Sequence, residues 1–380
     1  MKPKAANINP SNAAVTVPGT AHHSLAGSSA VQPALPPTLR ELVEDFAGLR
    51  IEPPPPPTDA SPPERCRISE LPEEILSQIL LDVAIKDIAA FARLSQVCKR
   101  LAYLVLTEEA IWKRVALGSE VGFGAMLYDF NCEIDGSPRQ AEDDMDALEL
   151  YLEGSSLPMP PLPEEPGTQR SPASMALTES LLLSTYSSSY RTMFRLRPRI
   201  RFNGVYISTV NYTRPGATST NTLTWGVPVH VVTYFRYLRF FRDGSCISLL
   251  TTSEPAEVVH HLTKDNMHGH HRADSLLPSA VMKDALRGRW RLSGPLSEHL
   301  DPLTAEPEKE GEVHIETEGV VPKYTYRLLL GLGHAGKLGG RNNKLMWKGF
   351  WSYNRLTDDW GEFGLKNDRA FYWSRVRSFS

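Results

Sequence analysis

Three groups of residues in this 380-residue chain have types and spacings that could support chemistry. Gly331-x-Gly333-x-x-Gly336 matches the glycine fingerprint of a dinucleotide site letter for letter. Such a loop works by opening a helix whose N-terminus holds the pyrophosphate. Here Gly339-Gly340 and Asn342-Asn343 follow and lead into another strand-like run, so the glycines read as a long turn. His260, His261, His268, His270 and His271 offer imidazoles to a metal, but only Asp265 and Asp274 stand nearby as acids and no cysteine does, so this stretch reads as a solvated loop. Arg195, Arg197, Arg199 and Arg201 alternate with Phe194, Leu196, Pro198, Ile200 and Phe202. Extended backbone would line up the four guanidinium groups on one face as an anion-binding row. Three occupants stay open for it: a phosphorylated or acidic substrate, a nucleic acid, or the chain's own acidic segment. No G-x-S-x-G, P-loop or H-E-x-x-H is present, so no catalytic nucleophile is assigned and neither metal nor cofactor is expected.

Composition narrows the classes further. With 41% hydrophobic and 22% charged residues the chain can bury at least one substantial core, which excludes fibrous and wholly disordered readings. A formal charge of -3 removes the global basic excess of a nucleic-acid-coating protein. Cys66, Cys98, Cys132 and Cys246 are scattered without a C-x-x-C pair, which suits a reducing compartment rather than a disulfide framework. No apolar run reaches the length of a membrane span, and Met1 to Lys4 do not open an apolar signal segment, so a cytosolic or nuclear protein is expected.

The elements that must position any site follow from proline and periodicity. Thirteen of the 30 prolines lie in residues 1–65 and seven more between Glu133 and Tyr190, marking residues 1–37 as disordered, 51–67 as a proline-rich linker and 133–189 as an acidic Pro/Ser-rich disordered insertion. Between the first two, residues 38–50 predict an amphipathic helix: Thr38-x-x-Glu41 is a capping box, and Leu39, Leu42, Val43, Phe46 and Leu49 share a face that must dock on this chain or on a partner. Residues 68–118 predict a compact helical module. Leu71-Pro72 opens a helix carrying Ile75, Leu76, Ile79, Leu80 and Val83. Asp87 caps a second with Ile88, Phe91 and Leu94, Val97, Leu101 and Leu104 mark a third, and Thr107 caps a last turn with Ile111 and Trp112.

Residues 119–132 are expected to connect this module to a β domain at 190–380 and to pack on it. In that domain the period changes to two. Strands are predicted near 200–208, 234–242, 245–252, 289–292, 312–316, 324–332, 344–353, 361–365 and 370–377, with Asp243-Gly244 as a hairpin turn. Successive antiparallel strands with short turns predict a meander closing into a barrel. Leu345, Trp347, Gly349, Trp351 and Tyr353 are expected on one face, Gly349 at a bend.

The helical module resembles an F-box: Leu71-Pro72-x-Glu74-Ile75-Leu76-x-x-Ile79-Leu80, Asp87-Ile88, Val97-Cys98-Lys99-x-Leu101 and Ile111-Trp112-Lys113 occupy the defining positions in order. Gly122-Phe123-Gly124-x-Met126-x-Tyr128, then Tyr190-Arg191-x-Met193-Phe194-x-x-Arg197-Pro198-Arg199-Ile200-Arg201-Phe202-x-Gly204-Val205-Tyr206-Ile207-Ser208, and the ending Phe371-Tyr372-Trp373-Ser374-Arg375-Val376-Arg377-Ser378-Phe379, are similar to the C-terminal domain of F-box only protein 9 and its fungal relatives. The animal members carry a tetratricopeptide-like segment before the F-box, which the residues here do not repeat. Residues 133–189 and 263–286 resemble insertions between family blocks.

The resemblance implies an α+β multidomain protein: a small all-helical F-box module, then an antiparallel β-meander closing into a lipocalin-like barrel, with a disordered N-terminus and linker. It implies binding of a Skp-family adaptor through Leu71, Pro72, Ile75, Leu76, Ile79, Val97, Cys98, Leu101 and Trp112, and through the adaptor a cullin and a RING subunit. The chain would then be a non-catalytic receptor that presents unidentified protein substrates for ubiquitination and proteasomal degradation, with no nucleic-acid partner and no membrane span. The alternative is a small-ligand-binding barrel whose F-box controls its own turnover or location. A barrel interior filled by Trp347, Trp351, Tyr353 and Phe371 would weigh against that alternative.

Overall fold

Pro72 fixes where the first long helix begins. Its ring presets φ at -56°, its carbonyl accepts from the Leu76 N–H (3.1 Å), and Glu73 and Glu74 stand in the first turn, where carboxylates complement the helix dipole. The computed structural model describes residues 46, 67–139, 172–215, 229–267, 279–295, 303, 306–336 and 341–379. The chain divides into two compact units, residues 1–114 with 170–193 and residues 115–169 with 194–380. The stretch 1–37, the linker 51–67 except Arg67, and most of 133–189 lie outside the described residues. So does the helix expected at 38–50 except Phe46, whose ring lies under the Lys99 ammonium at 5.4 Å.

In the first unit α1 (Glu73–Lys86) buries Leu76, Leu80 and Ala84, one residue per turn. The Asp87 carboxylate accepts from the Ala89 N–H (2.9 Å) and starts α2 (Ile88–Leu94), which buries Phe91 completely. The Cys98 sulfur accepts from the Leu101 N–H (3.5 Å) at the start of α3 (Lys99–Thr107), and α4 (Glu109–Leu117) follows. Trp112 closes the core. Its indole N–H donates to the Val105 carbonyl (2.8 Å) and its ring meets Phe91 edge-on at 5.5 Å. Thr107 does not cap α4 as expected: its hydroxyl donates back to the Tyr103 carbonyl (2.8 Å) inside α3, the local alternative open to threonine in a last helical turn.

The segment 133–189 was expected to be disordered throughout, and its C-terminal part differs. Pro172–Ser184 forms α5, and Tyr190–Leu196 forms α6. Ser187 and Ser188 turn between them with φ of 51° and 59°. The Glu109 carboxylate accepts from the Ser189 hydroxyl (3.0 Å) and the Tyr190 N–H (3.1 Å), capping α6 from outside. The interior of α5 holds Thr178 and Leu182, both buried. Seven of its thirteen residues are apolar and they are spread evenly around the helix, so they give no helical period by inspection.

The second unit is built on nine antiparallel strands: β1 (Gly204–Pro215), β2 (Val229–Phe240), β3 (Ser245–Thr251), β4 (Leu286–Leu292), β5 (Glu312–Glu318), β6 (Tyr324–Gly333), β7 (Lys344–Asn354), β8 (Asp359–Glu362) and β9 (Phe371–Arg375). Their order is β6-β5-β4-β3-β2-β1-β9-β7-β8, and β6 also pairs with β7, so eight strands close into a barrel with β8 attached to β7 alone. The β2–β3 hairpin turns at Gly244 (φ +94°), and the Asp243 carboxylate accepts from the Ser245 N–H (3.2 Å) and hydroxyl (2.7 Å). Alternation fills the interior. Tyr206, Leu238, Phe240, Trp290, Ile315, Leu330 and Phe371 are all at or below 1% exposed. On the outer face α7 (Pro255–Val258) and α8 (Ser279–Met282) cover a second apolar layer of Val205, Tyr237, Ile247 and Leu249.

Two local expectations are corrected. A bulge shifts the β6–β7 register between Leu329 and Leu330, so Leu345 and Trp347 pair with Leu332 and Leu330, but beyond the bulge Phe350 takes the inward place opposite Leu328. Trp351 and Tyr353 therefore face outward, and the Trp351 ring lies over Gly349, where a Cβ would come within 1.8 Å of it. The second correction is Arg195 to Arg201. Strand β1 begins only at Gly204, and α6 and a side-chain-tethered turn precede it, so the four arginines do not share a strand face.

Candidate functional site

Nine residues of the helical module were expected to form an apolar docking face, and the structure sorts them by accessibility. Pro72, Ile75 (48% exposed), Ile79 (41%) and Val97 (68%) face solvent, and Leu71 and Cys98 are half-buried. Leu76, Leu101 and Trp112 are buried in the module's own core, placed to support that face rather than stand open on it. Ile68, at 40% exposure, was missed by the sequence argument because it lies in a short 3-10 turn, Arg67–Glu70, ahead of α1. An ion pair from Arg100, in the first turn of α3, to Glu73, in the first turn of α1, brings the Val97–Cys98 corner beside the start of α1. The result is an apolar surface carried on rigid helices and rimmed by Glu73, Glu74, Gln78 and Asp82. A surface of this kind can dock another protein.

The arginines sit elsewhere and mostly inside. Arg195 is exposed. Arg197 is 1% exposed, donating to Glu310 (3.4 Å) and the Tyr128 hydroxyl (3.0 Å) with its guanidinium over Phe123. Arg199 donates to the carbonyls of Phe194 and Val121 (both 3.3 Å) and stacks on the Phe194 ring at 3.8 Å. Burial, and then the neighbouring charge of Arg201, pulls its pKa down to about 9. Arg201 donates to the Arg341 carbonyl (2.5 Å) and lies over Trp373 at 4.8 Å. Around Arg199 and Arg201 aromatic faces and main-chain carbonyls take the place of carboxylates, which is how these two cations come to be buried in a segment with no acid of its own.

The other chemical candidates resolve into structure. Gly331 and Gly333 lie in β6, Gly336 turns with φ +90°, and the next described element is β7, so no helix N-terminus meets the fingerprint among the described residues. His260 is bonded through Nδ1 to the Ser378 carbonyl (2.8 Å), while His268, His270 and His271 lie outside the described residues. Among the described residues no cluster of three or more His, Cys, Asp or Glu could hold a metal, and no helix is long and apolar enough to cross a membrane. Burial pushes the Cys132 thiol up to about 11 and the Cys246 thiol well above its ordinary value of 9.0. At pH 8, Ellman's reagent should therefore reach half-buried Cys98 and leave Cys132 and Cys246 unmodified until denaturant is added. Fast labelling of Cys246 in the folded chain would contradict this packing. Because the folded state keeps these thiol protons, the two cysteines cost stability only as pH rises above about 9, the unfolded thiol value.

Residues 68–118 match the F-box-like family model. That helical module is F-box-like. Residues 179–297 match a second model, the F-box only protein C-terminal region, which covers α6 and the barrel through β4. The chain is 31% identical over 202 residues to the F-box protein pof7 of Schizosaccharomyces pombe, covering 53% of this chain and 48% of that one. It is 50% identical over 78 residues to the F-box protein HRT3 of Saccharomyces cerevisiae, covering 20% of this chain and 23% of that one. The chain thus spans about half the length of the first relative and about a quarter of the second. No solved structure matches it.

Proposed function

We propose that this chain is the substrate-receiving subunit of a Skp–cullin–F-box ubiquitin ligase, in which the F-box holds the adaptor and the barrel unit receives protein substrates for ubiquitination and degradation. The observation that carries the reading is the exposed apolar face of Pro72, Ile75, Ile79 and Val97, set on helices whose own core is already complete without it. Such a face costs solubility unless a partner covers it. In this reading no nucleophile is asked of the chain. Its contribution is proximity: a substrate held beside a ubiquitin thioester presents its lysines at a high effective concentration. Free cysteines at positions 98, 132 and 246 suit the cytosol or nucleus as its place of action.

The small-ligand alternative draws less support. Of the residues that were to fill the barrel, Trp347 and Phe371 do pack inside, with centroids 5.2 Å apart, and Phe350 takes the place expected of Trp351. The test is assembly. Full chain co-expressed with the adaptor, a cullin and a RING subunit should co-elute with the cullin only when the adaptor is present. Folded chain that binds the adaptor but never the cullin would overturn the ligase assignment.

A further inference from the structure

Four stretches meet at one end of the barrel: residues 194–204 leading into β1, residues 330–336 at the end of β6, residues 341–347 opening β7, and residues 371–379, which form β9 and run out of it. Together they contain eight Lys or Arg and no Asp or Glu, and of these Arg197 is paired with Glu310 from outside them. They are stitched to one another by the Trp373 N–H donating to the Asn343 carbonyl (2.9 Å), the Asn342 amide to the Arg197 carbonyl (3.0 Å), and the pairings Lys344 with Tyr372 and Gly204 with Arg375. Arg375 and Arg377 are exposed at this end, and Arg341 and Lys344 are partly so. Beneath them Arg199 and Arg201 are held by carbonyls and rings rather than by carboxylates, so their charge is not cancelled locally and adds to the surface field.

We propose that this end of the barrel docks an acidic segment of a partner protein, a short extended run rich in Asp and Glu. The inference rests on the substrate-receptor reading and names the chemistry of what is received. Its size argues for a short run. β1, β9 and β7 are neighbours, so the patch is roughly 10 Å across at about 4.8 Å per strand, which three or four carboxylates of an extended segment can cover at about 3.3 Å per residue. A nucleic acid would extend well past it onto a chain whose net charge is -3, and that charge favours the compact protein anion.

The probes are a labelled peptide of alternating Glu and Ser, its Gln and Ser counterpart, and a single-stranded oligothymidylate of equal charge, titrated into the full chain by fluorescence anisotropy at low and high salt. The Glu peptide is expected to bind about tenfold tighter than either comparison, to weaken at least severalfold at high salt, and to lose about tenfold with Lys344→Glu plus Arg377→Glu. Arg341→Glu alone, with folding checked by melting, provides a second variant if the pair fails to fold. Equal affinity for the Glu and Gln peptides would overturn the proposal. So would tighter binding of the oligothymidylate, which would assign the patch to nucleic acid. Glu-peptide binding that appears only after deletion of residues 140–169 would assign it to the chain's own acidic run and also overturn the proposal. Adaptor titration of the same samples separates the two ideas: peptide binding without adaptor binding would sink the receptor reading alone.

Discussion

Trp290→Ala is expected to lower the stability of the barrel unit by about 3–5 kcal/mol, the range for truncating a large buried aromatic. Trp290 is fully buried in β4, meets Phe240 edge-on and Phe202 at a tilt, both at 5.8 Å, and donates its indole N–H to the Phe241 carbonyl (2.8 Å). Truncation opens a cavity in the middle of the interior and strips that carbonyl of its donor, two costs that add. Guanidinium unfolding followed by tryptophan emission would read the change. Trp290→Phe should restore much of the loss because it refills volume without the N–H. A change below about 1 kcal/mol for the alanine variant would mean that the barrel interior is packed differently.

The second large effect lies in the F-box. Trp112→Ala should cost about 3–5 kcal/mol because it removes the edge contact to Phe91 and the donor to Val105 together. In a helical module of about 50 residues that is a large share of the total stability. Adaptor binding should then vanish with helicity, as measured by circular dichroism, even though Trp112 is buried in the module's own core. Val97→Ala makes the opposite case. This exposed residue should leave the melting temperature nearly unchanged while weakening adaptor binding. Equal losses of helicity in both variants would contradict the division between support and contact residues.

That division shows where sequence reasoning reaches its limit. Leu76 and Ile75 are adjacent, equally apolar and equally part of the F-box pattern, yet one is core and the other is surface. A helical period cannot say which of two apolar stripes faces inward when both are present. Strands were legible because alternation and turn residues are local signals: the Asp243-Gly244 hairpin and most strand positions needed no tertiary information. The β7 face was not legible, since the bulge opposite Leu329–Leu330 is set by pairing and flips every later side chain. The arginine row failed for a related reason. Alternation from Phe194 to Phe202 imitates a strand, but Arg195 points to solvent, Arg197 is held by Glu310 and Tyr128, and Arg199 and Arg201 are tied to ring faces and to carbonyls drawn from residues far along the chain, such as Val121 and Arg341. Helix α5 was hidden by the proline- and acid-rich stretch before it and by its own nearly uniform apolar character.

The central claim is that the exposed face of the F-box binds a Skp-family adaptor, and the most direct test is a calorimetric titration of the full chain with that adaptor, repeated with Ile75→Glu plus Ile79→Glu. Both positions are solvent-facing, so the charged variant should fold and melt like the wild type. The account predicts one-to-one binding by the wild type and a loss of at least about 100-fold in the variant, since each carboxylate would be desolvated in an apolar interface. Unchanged affinity in a folded variant, or no heat of binding from folded wild type, would contradict it.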